Sequence, residues 1–262
     1  MSYDRDEVLK HNSLFSNTSF KVGDKIHRNI LLSCDHGLMI VNRFDCNDEQ
    51  VGHSQWLLDH GNVSTVETLY CHESIKEIRN PIIFDIGANI GTFTTWMAKT
   101  FPEGKIYCFE PQREVFQMLC GNASINNLYN VYPYNIALGK QNDKIEFEEP
   151  NYFQKNDFGT FSLVENIITE KTNNKIVVQV NTLDWFLEYY HIPKVHLLKI
   201  DVEGMDIDVL IGATKTIQKH FPIIFIEHSD NRRTVIDDIK NFLNQFDYGY
   251  TVVGNNVLCK PQ

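Results

Sequence analysis

Ten residues, Ile82-Ile83-Phe84-Asp85-Ile86-Gly87-Ala88-Asn89-Ile90-Gly91, constrain this chain more than any others. A short apolar run rich in β-branched residues and stopped by Asp and Gly reads as a strand buried on both faces. Phe93, Trp96, Met97 and Phe101 then recur at helical spacing, so the segment predicts strand, glycine bend and helix. Such a bend leaves unpaired N–H groups at the start of the helix, and Gly87 and Gly91 clear side chains from where a ligand meets the main chain. The expected occupant is a small anionic group.

A second apolar run, Ile106-Tyr107-Cys108-Phe109, ends in Glu110-Pro111 and puts a carboxylate at the edge of the neighbouring strand. An acid there accepts hydrogen bonds from ribose hydroxyls in nucleotide-binding α/β sheets. The dinucleotide fingerprint G-x-G-x-x-G needs its middle glycine so that the backbone can touch a pyrophosphate. Asn89 occupies that position, which disfavours NAD and a dehydrogenase or epimerase. A ligand with an adenosine and a carboxylate but no pyrophosphate fits better, and S-adenosylmethionine is such a ligand.

Charge narrows the partners. The chain has 262 residues and a net charge of −10, and its Lys/Arg runs go no further than Arg232-Arg233, so nucleic acid is a poor electrostatic match. Six cysteines without a C-x-x-C pair read as reduced core residues. The first residues carry no apolar targeting core and no run reaches membrane-spanning length, so a cytoplasmic protein without membrane insertion is expected. The sequon at Asn122-Ala123-Ser124 then goes unused.

Residues 1 to about 20 show little pattern. From Lys21 to Arg43 two apolar runs flank Asp35-His36-Gly37, a hairpin signature, and two short helices are expected between Asp48 and Ile78, parted at Gly61-Asn62. Ser64-Thr65-Val66-Glu67 fits a capping box. Val115 to Ala123 predicts an amphipathic helix ended by Asn126-Asn127, and Val131 to Leu138, Ile145 to Glu148 and Lys175 to Val180 read as strands. Pro150 to Asn174, polar with Tyr152, Phe153, Phe158 and Phe161, is the longest candidate for a substrate loop. Its aromatics suit either a sugar face or a small core of their own.

The α/β alternation resumes with strands at Val195 to Ile200 and Ile223 to Ile226. One helix carries Val209, Leu210, Ala213 and Ile217, and another carries Val235, Ile236, Ile239, Phe242, Leu243 and Phe246. Tyr250 to Val253, Gly254-Asn255-Asn256 and Val257 to Cys259 form a hairpin signature at the end. The division expected is an N-terminal extension over 1–80 and a cofactor-binding domain over 81–262.

Phe84-Asp85-Ile86-Gly87-Ala88-Asn89-Ile90-Gly91, Phe109-Glu110-Pro111, Asn135-Ile136-Ala137-Leu138-Gly139 and Lys199-Ile200-Asp201-Val202-Glu203-Gly204 together resemble the FkbM-type S-adenosylmethionine-dependent methyltransferases. That resemblance covers about Pro81 to Lys260. It implies an α/β class I methyltransferase (Rossmann-like) fold: a seven-stranded, mostly parallel sheet with a terminal antiparallel hairpin and helices on both faces, here with a small N-terminal α/β extension. It also implies O-methylation of a hydroxyl on a sugar or glycan, or on a polyketide-like natural product. A non-catalytic cofactor-binding module is the remaining alternative.

On this reading Asp85, Gly87, Asn89, Gly91 and Thr92 hold the methionine half of S-adenosylmethionine, Glu110 holds the ribose, and Asn135 to Ala137 border the adenine. Glu67 suits a helix cap, a contact to the cofactor's amino group, or both. Asp201 ends a buried strand at the cofactor edge, where it suits orienting the sulfonium, acting as base, ligating a metal or capping the next helix. His228 is the favoured proton acceptor because imidazole titrates near neutral pH, against a plain strand-end histidine. Asp201, Glu203 and Glu227 form an alternative oxygen-ligand metal set.

Overall fold

The β-branched runs singled out above become strands in the computed structural model, which describes residues 21–22, 25–46, 52–63, 65–160, 162, 171–228 and 235–262. The unpatterned start, Ser64 of the capping box and Phe161 lie outside the described residues. The chain enters through two antiparallel pairs, β1 (Lys21–Val22) with β2 (Lys25–Ile26) and β3 (Asn29–Cys34) with β4 (Gly37–Asn42). Helices α1 (His53–His60) and α2 (Thr65–Ile75) follow, parted at Gly61, whose left-handed φ of 73° closes α1.

The α/β alternation then begins: β5 (Ile82–Ile86), α3 (Thr92–Thr100), β6 (Lys105–Phe109), α4 (Arg113–Ile125) and β7 (Val131–Tyr134). An excursion through β8 (Ala137–Leu138), β9 (Asp143–Pro150) and β10 (Lys171–Asn181) builds a small separate sheet. The chain returns with α5 (Leu183–Tyr189), β11 (Leu197–Ile200), α6 (Asp206–Gly212), α7 (Thr214–His220) and β12 (Ile223–Glu227). It ends in α8 (Ile236–Leu243), β13 (Tyr248–Val253) and β14 (Asn256–Pro261).

The main sheet has seven strands in the order β13-β14-β12-β11-β5-β6-β7. Strands β12, β11, β5, β6 and β7 pair in parallel, and β14 runs antiparallel between β12 and β13. This is the class I methyltransferase fold. Strand β5 at the centre is covered on both sides, which is why its sequence is a continuous apolar run rather than an alternating one. On one face Phe84 stacks on Phe109 at 5.9 Å and meets Phe186 of α5 edge-on at 6.2 Å. On the other, Ile83, Ile106, Leu197 and Phe225 pack against Cys71, Phe93 and Met97 of α2 and α3.

The N-terminal hairpin is fastened to the sheet domain by two asparagines one turn apart, Asn122 in α4 and Asn126 at its C-terminal cap. The Asn122 amide donates to Ile40 O at 3.1 Å and Ile90 O at 2.8 Å and accepts from Ile40 N at 2.5 Å. Asn126 makes the same two-way bond to Leu38, at 3.2 and 2.6 Å. Asn122, the acceptor of the sequon, is thus fully buried.

Two elements are divided where the sequence predicts one. The run Val131 to Leu138 breaks after Tyr134 because the Asn135 amide turns back to Glu110 O at 2.8 Å and Pro111 O at 3.0 Å, sending β8 into the second sheet. The helix over Val209 to Ile217 breaks at Ala213. Gly212 lies against the backbone of Gly139, where an added Cβ would stand 2.0 Å from the carbonyl oxygen, and Asp184 takes the N–H groups of Lys215 and Thr216 at 2.9 and 2.8 Å. Within the predicted substrate loop, Tyr152 and Phe158 are core residues in mutual contact at 4.8 Å, whereas Phe153 faces outward beneath Arg28. All six cysteines are free, and among the described residues no helix is long and apolar enough to cross a membrane.

Candidate active site

Ligands of open α/β sheets bind outside the carboxyl ends of the strands. There the bend after β5, the end of β6, the β7–β8 connection and the turn after β11 surround a cleft open to solvent. Gly87, Asn89, Thr92, Glu110, Ala137, Asp201 and Glu203 line it, as do His53, Phe93, Gln112, Ile136, Gly159, Lys199 and Met205. Glu67, Asp85, Gly91, Asn135, Glu227 and His228 stand outside that lining.

The bend is a shaped wall. Gly87 adopts a φ of 82°, and an added Cβ would lie 1.8 Å from the carbonyl oxygen of Asp201, so the two strand ends can approach only because the side chain is missing. Asn89 also has positive φ, at 50°, a conformation asparagine tolerates. The amides of the bend before the helix are used within the fold. Gly87 N and Ala88 N donate to Phe109 O at 3.0 and 2.9 Å, Asn89 N to Glu110 at 3.0 Å, Ile90 N to the Asn89 side chain at 2.7 Å, and Gly91 N to Ala88 O at 2.9 Å. Folding has consumed the donors of the bend itself, which leaves a close, side-chain-free surface, while α3 begins at Thr92 with no side-chain cap on its first turn.

Glu110 is 4% exposed, and besides Asn89 N it accepts from Gln112 N at 2.9 Å. Burial raises its carboxyl to about 7 despite those two N–H groups, so it sits at the threshold of ionisation near neutral pH. Asp85 is fully buried behind the bend, where it accepts from Thr94 Oγ1 at 2.6 Å. It reaches the cleft only through Lys199, whose ammonium lies 3.5 Å from Asp85, 3.1 Å from Asp201 and 3.3 Å from Gly87 O.

Burial lowers the proton affinity of an amine, but the two carboxylates outweigh it and raise that of Lys199. Burial likewise pushes Asp201 up, yet the Lys199 charge overcomes it and holds Asp201 below the usual carboxylate range. Glu227 is pushed up to about 9 by burial and by the charges of Asp201 and Asp206, so it keeps its proton at neutral pH and shares a hydrogen bond with Asp201. Oxygens of Asp201, Glu203 and Glu227 all lie within 4.8 Å of one another.

The helix-cap alternative for Asp201 does not hold. The residue before α6 is Met205 and no side chain caps that helix; Asp206 orders the turn ahead of it, taking Val202 N and Gly204 N at 3.2 Å each, and Asp201 turns to Lys199. Neither ring nitrogen of His228 has a hydrogen-bond partner among the described residues. Sequence reasoning passed over Lys199 and His53. A lysine inside an otherwise apolar strand was the available signal for the first, since lysine is almost never buried unpaired. His53 belongs to no motif.

A cleft at the switch point of the main sheet, with an acid at the second strand end and a glycine bend at the first, is the arrangement of a class I methyltransferase fold. The sequence comparison agrees: residues 85–252 match the Methyltransferase FkbM domain, and the chain belongs to that family. S-adenosylmethionine is the cofactor this assignment indicates. "Methyltransferase 1" of Beauveria bassiana is 27% identical over 156 residues, covering 54% of this chain and 62% of that protein. "2-O-methyltransferase NoeI" of Sinorhizobium fredii is 24% identical over 185 residues, 64% of this chain and 75% of NoeI. "Hexuronic acid methyltransferase AglP" of Haloferax volcanii is 27% identical over 146 residues, 55% of each chain. The chain therefore spans less than two thirds of the length of the Beauveria and Haloferax proteins.

Replacing Lys199 by Met leaves the buried Asp85, and Asp201 at the cleft edge, without their cation, and the expected loss of stability is about 3–5 kcal/mol, most of it from Asp85. The loss grows with pH. Without the ammonium both carboxyls hold protons in the folded state that the unfolded chain releases, so stability falls as pH rises through their folded values. Urea midpoints of Lys199→Met and wild type at pH 5 and pH 8 check both the size and the sign.

Proposed function

We propose that the protein is an S-adenosylmethionine-dependent O-methyltransferase acting on a hydroxyl of a sugar or glycan. Glu110 at the mouth of the β6 end carries the cofactor half of this reading. A buried carboxylate beside a cleft, already held by two backbone N–H groups, is oriented to accept from the paired hydroxyls of a ribose. The adenine then lies against Ile136 and Ala137, and the amino-acid half extends along Gly87 toward Thr92. Gly91, Asp85 and Asn135 serve that site from behind: Asp85 through Lys199, and Asn135 by fixing the carbonyls of Glu110 and Pro111.

Methyl transfer from a sulfonium is an in-line displacement, so the protein mainly aligns acceptor oxygen, methyl carbon and sulfur and takes up one proton. Asp201 keeps its negative charge under the influence of Lys199, which suits it to face the sulfonium or orient the acceptor hydroxyl. The same low proton affinity makes it a weak base. Asp201, Glu203 and Glu227 are close enough to ligate a divalent cation, but Lys199 already supplies a positive charge at Asp201, and we favour one shared proton between Asp201 and Glu227.

The names of NoeI and AglP, a 2-O-methyltransferase and a hexuronic acid methyltransferase, support the acceptor class. A polyketide-like acceptor is the competing reading. Six free thiols fit a cytoplasmic, reducing location, and the net charge of −10 argues against nucleic acid.

Incubation with label-bearing S-adenosylmethionine, in EDTA, against a panel of nucleotide sugars, oligosaccharides and polyketides tests this directly. Label on a sugar hydroxyl is expected; label only on polyketides refutes the acceptor class, and activity that vanishes until Mg²⁺ is restored puts a cation on the acidic trio. A second outcome concerns Glu110. Ribose hydroxyls favour its ionised form, so affinity for S-adenosylhomocysteine should fall as pH drops below about 7, by up to about tenfold per pH unit. Glu110→Gln flattens that slope and weakens binding at pH 8 by about ten- to a hundredfold, read by calorimetry.

A further inference from the structure

The cleft has a wall from outside the matched family region. His53, the first residue of α1, lines it together with Asn89, Gly159 and Asp201. Its position is built. The Asp45 carboxylate, 3% exposed, accepts from Ser54 N at 2.9 Å, Ser54 Oγ at 2.8 Å and Phe158 N at 2.9 Å. One buried acid thereby clamps the start of α1 to the loop carrying Gly159. That glycine lies close to both side chains, since an added Cβ would stand 2.9 Å from His53 Nδ1 and 3.1 Å from Asn89 Nδ2.

The hydrogen bonding defines the state of the ring. Asn89 Oδ1 accepts from Ile90 N at 2.7 Å, which leaves the Nδ2 amide hydrogens facing His53 Nδ1 at 3.1 Å. An amide NH₂ only donates, so Nδ1 carries the lone pair and a neutral ring carries its hydrogen on Nε2. A nitrogen bearing its lone pair, held by the Asn89 amide, therefore stands beside the cofactor-binding bend on a residue that lines the cleft.

We propose that His53 is the proton acceptor of the methyl transfer, in place of the His228 that the sequence singles out. This rests on the O-methyltransferase reading above. The acceptor hydroxyl displaces the Asn89 amide from Nδ1. As its oxygen bonds to the methyl carbon, the carbon–sulfur bond breaks, the sulfonium becomes a neutral thioether and the hydroxyl proton passes to Nδ1. Asp45 is a positioning residue: through Ser54 and Phe158 it clamps the start of α1, from which the His53 ring extends. His228 stands outside the cleft lining, and Asp201 is paired to Lys199.

The test uses the full chain, label-bearing S-adenosylmethionine and a saturating sugar acceptor from the panel. His53→Ala is expected to lower turnover by about 10²-fold or more while S-adenosylhomocysteine affinity stays near wild type, and added imidazole restores part of the rate. His53→Gln, which keeps a polar side chain but cannot take the proton, loses turnover to the same degree. Unchanged turnover in His53→Ala, or a parallel loss of S-adenosylhomocysteine affinity without imidazole rescue, overturns the proposal. So does a loss confined to His228→Ala. Wild-type protein that binds S-adenosylhomocysteine yet labels no hydroxyl in the panel refutes the O-methyltransferase reading and this inference with it, whereas a labelled hydroxyl with His53→Ala still active refutes the inference alone.

Discussion

One ammonium group holds the ends of the two central strands together. Lys199 belongs to β11, Asp85 to β5, and Asp201 follows β11. The parallel register that sets Lys199 opposite Asp85 puts the cation between both carboxylates and 3.3 Å from the carbonyl of Gly87. Three charges without full access to water persist only when each satisfies another. The pairing also sets the chemistry of the cleft edge, because the same charge that neutralises Asp85 keeps Asp201 ionised and leaves Glu227 as the member of the group that retains a proton.

Around that pairing the bend acts by shape. Its amides are spent on Phe109, Glu110 and one another, which fixes the strand–helix turn against the end of β6 and orients the Glu110 carboxylate at the same time. The absence of side chains at Gly87 lets the Asp201 backbone close to the bend. The resulting surface suits a compact nucleoside with a cationic centre.

How much of this could be read in the chain depends on the range of the interaction involved. The strand–bend–helix at Ile82 to Thr100, the acid at Glu110 and the terminal hairpin are encoded by neighbours in sequence, and all appear in the structure. The break after Tyr134 and the helix break at Gly212 were not legible, since each depends on a partner elsewhere: the carbonyls of Glu110 and Pro111, and the backbone of Gly139. Asp201 was legible as a site residue but not its partner, because pairing with Lys199 and Asp85 needs the β5–β11 register. His53 lay furthest from view. It reaches the cleft through a clamp between Asp45 and Phe158, 113 residues apart, and no local pattern announces such a contact.

Where a nucleoside sits decides most directly whether this cleft is the cofactor site. A crystal structure with S-adenosylhomocysteine bound should place the ribose hydroxyls on the Glu110 carboxylate, the adenine against Ile136 and Ala137, and the thioether sulfur between Gly87 and Asp201. A nucleoside bound outside this cleft, or NADH occupying the bend in place of S-adenosylhomocysteine, would contradict it.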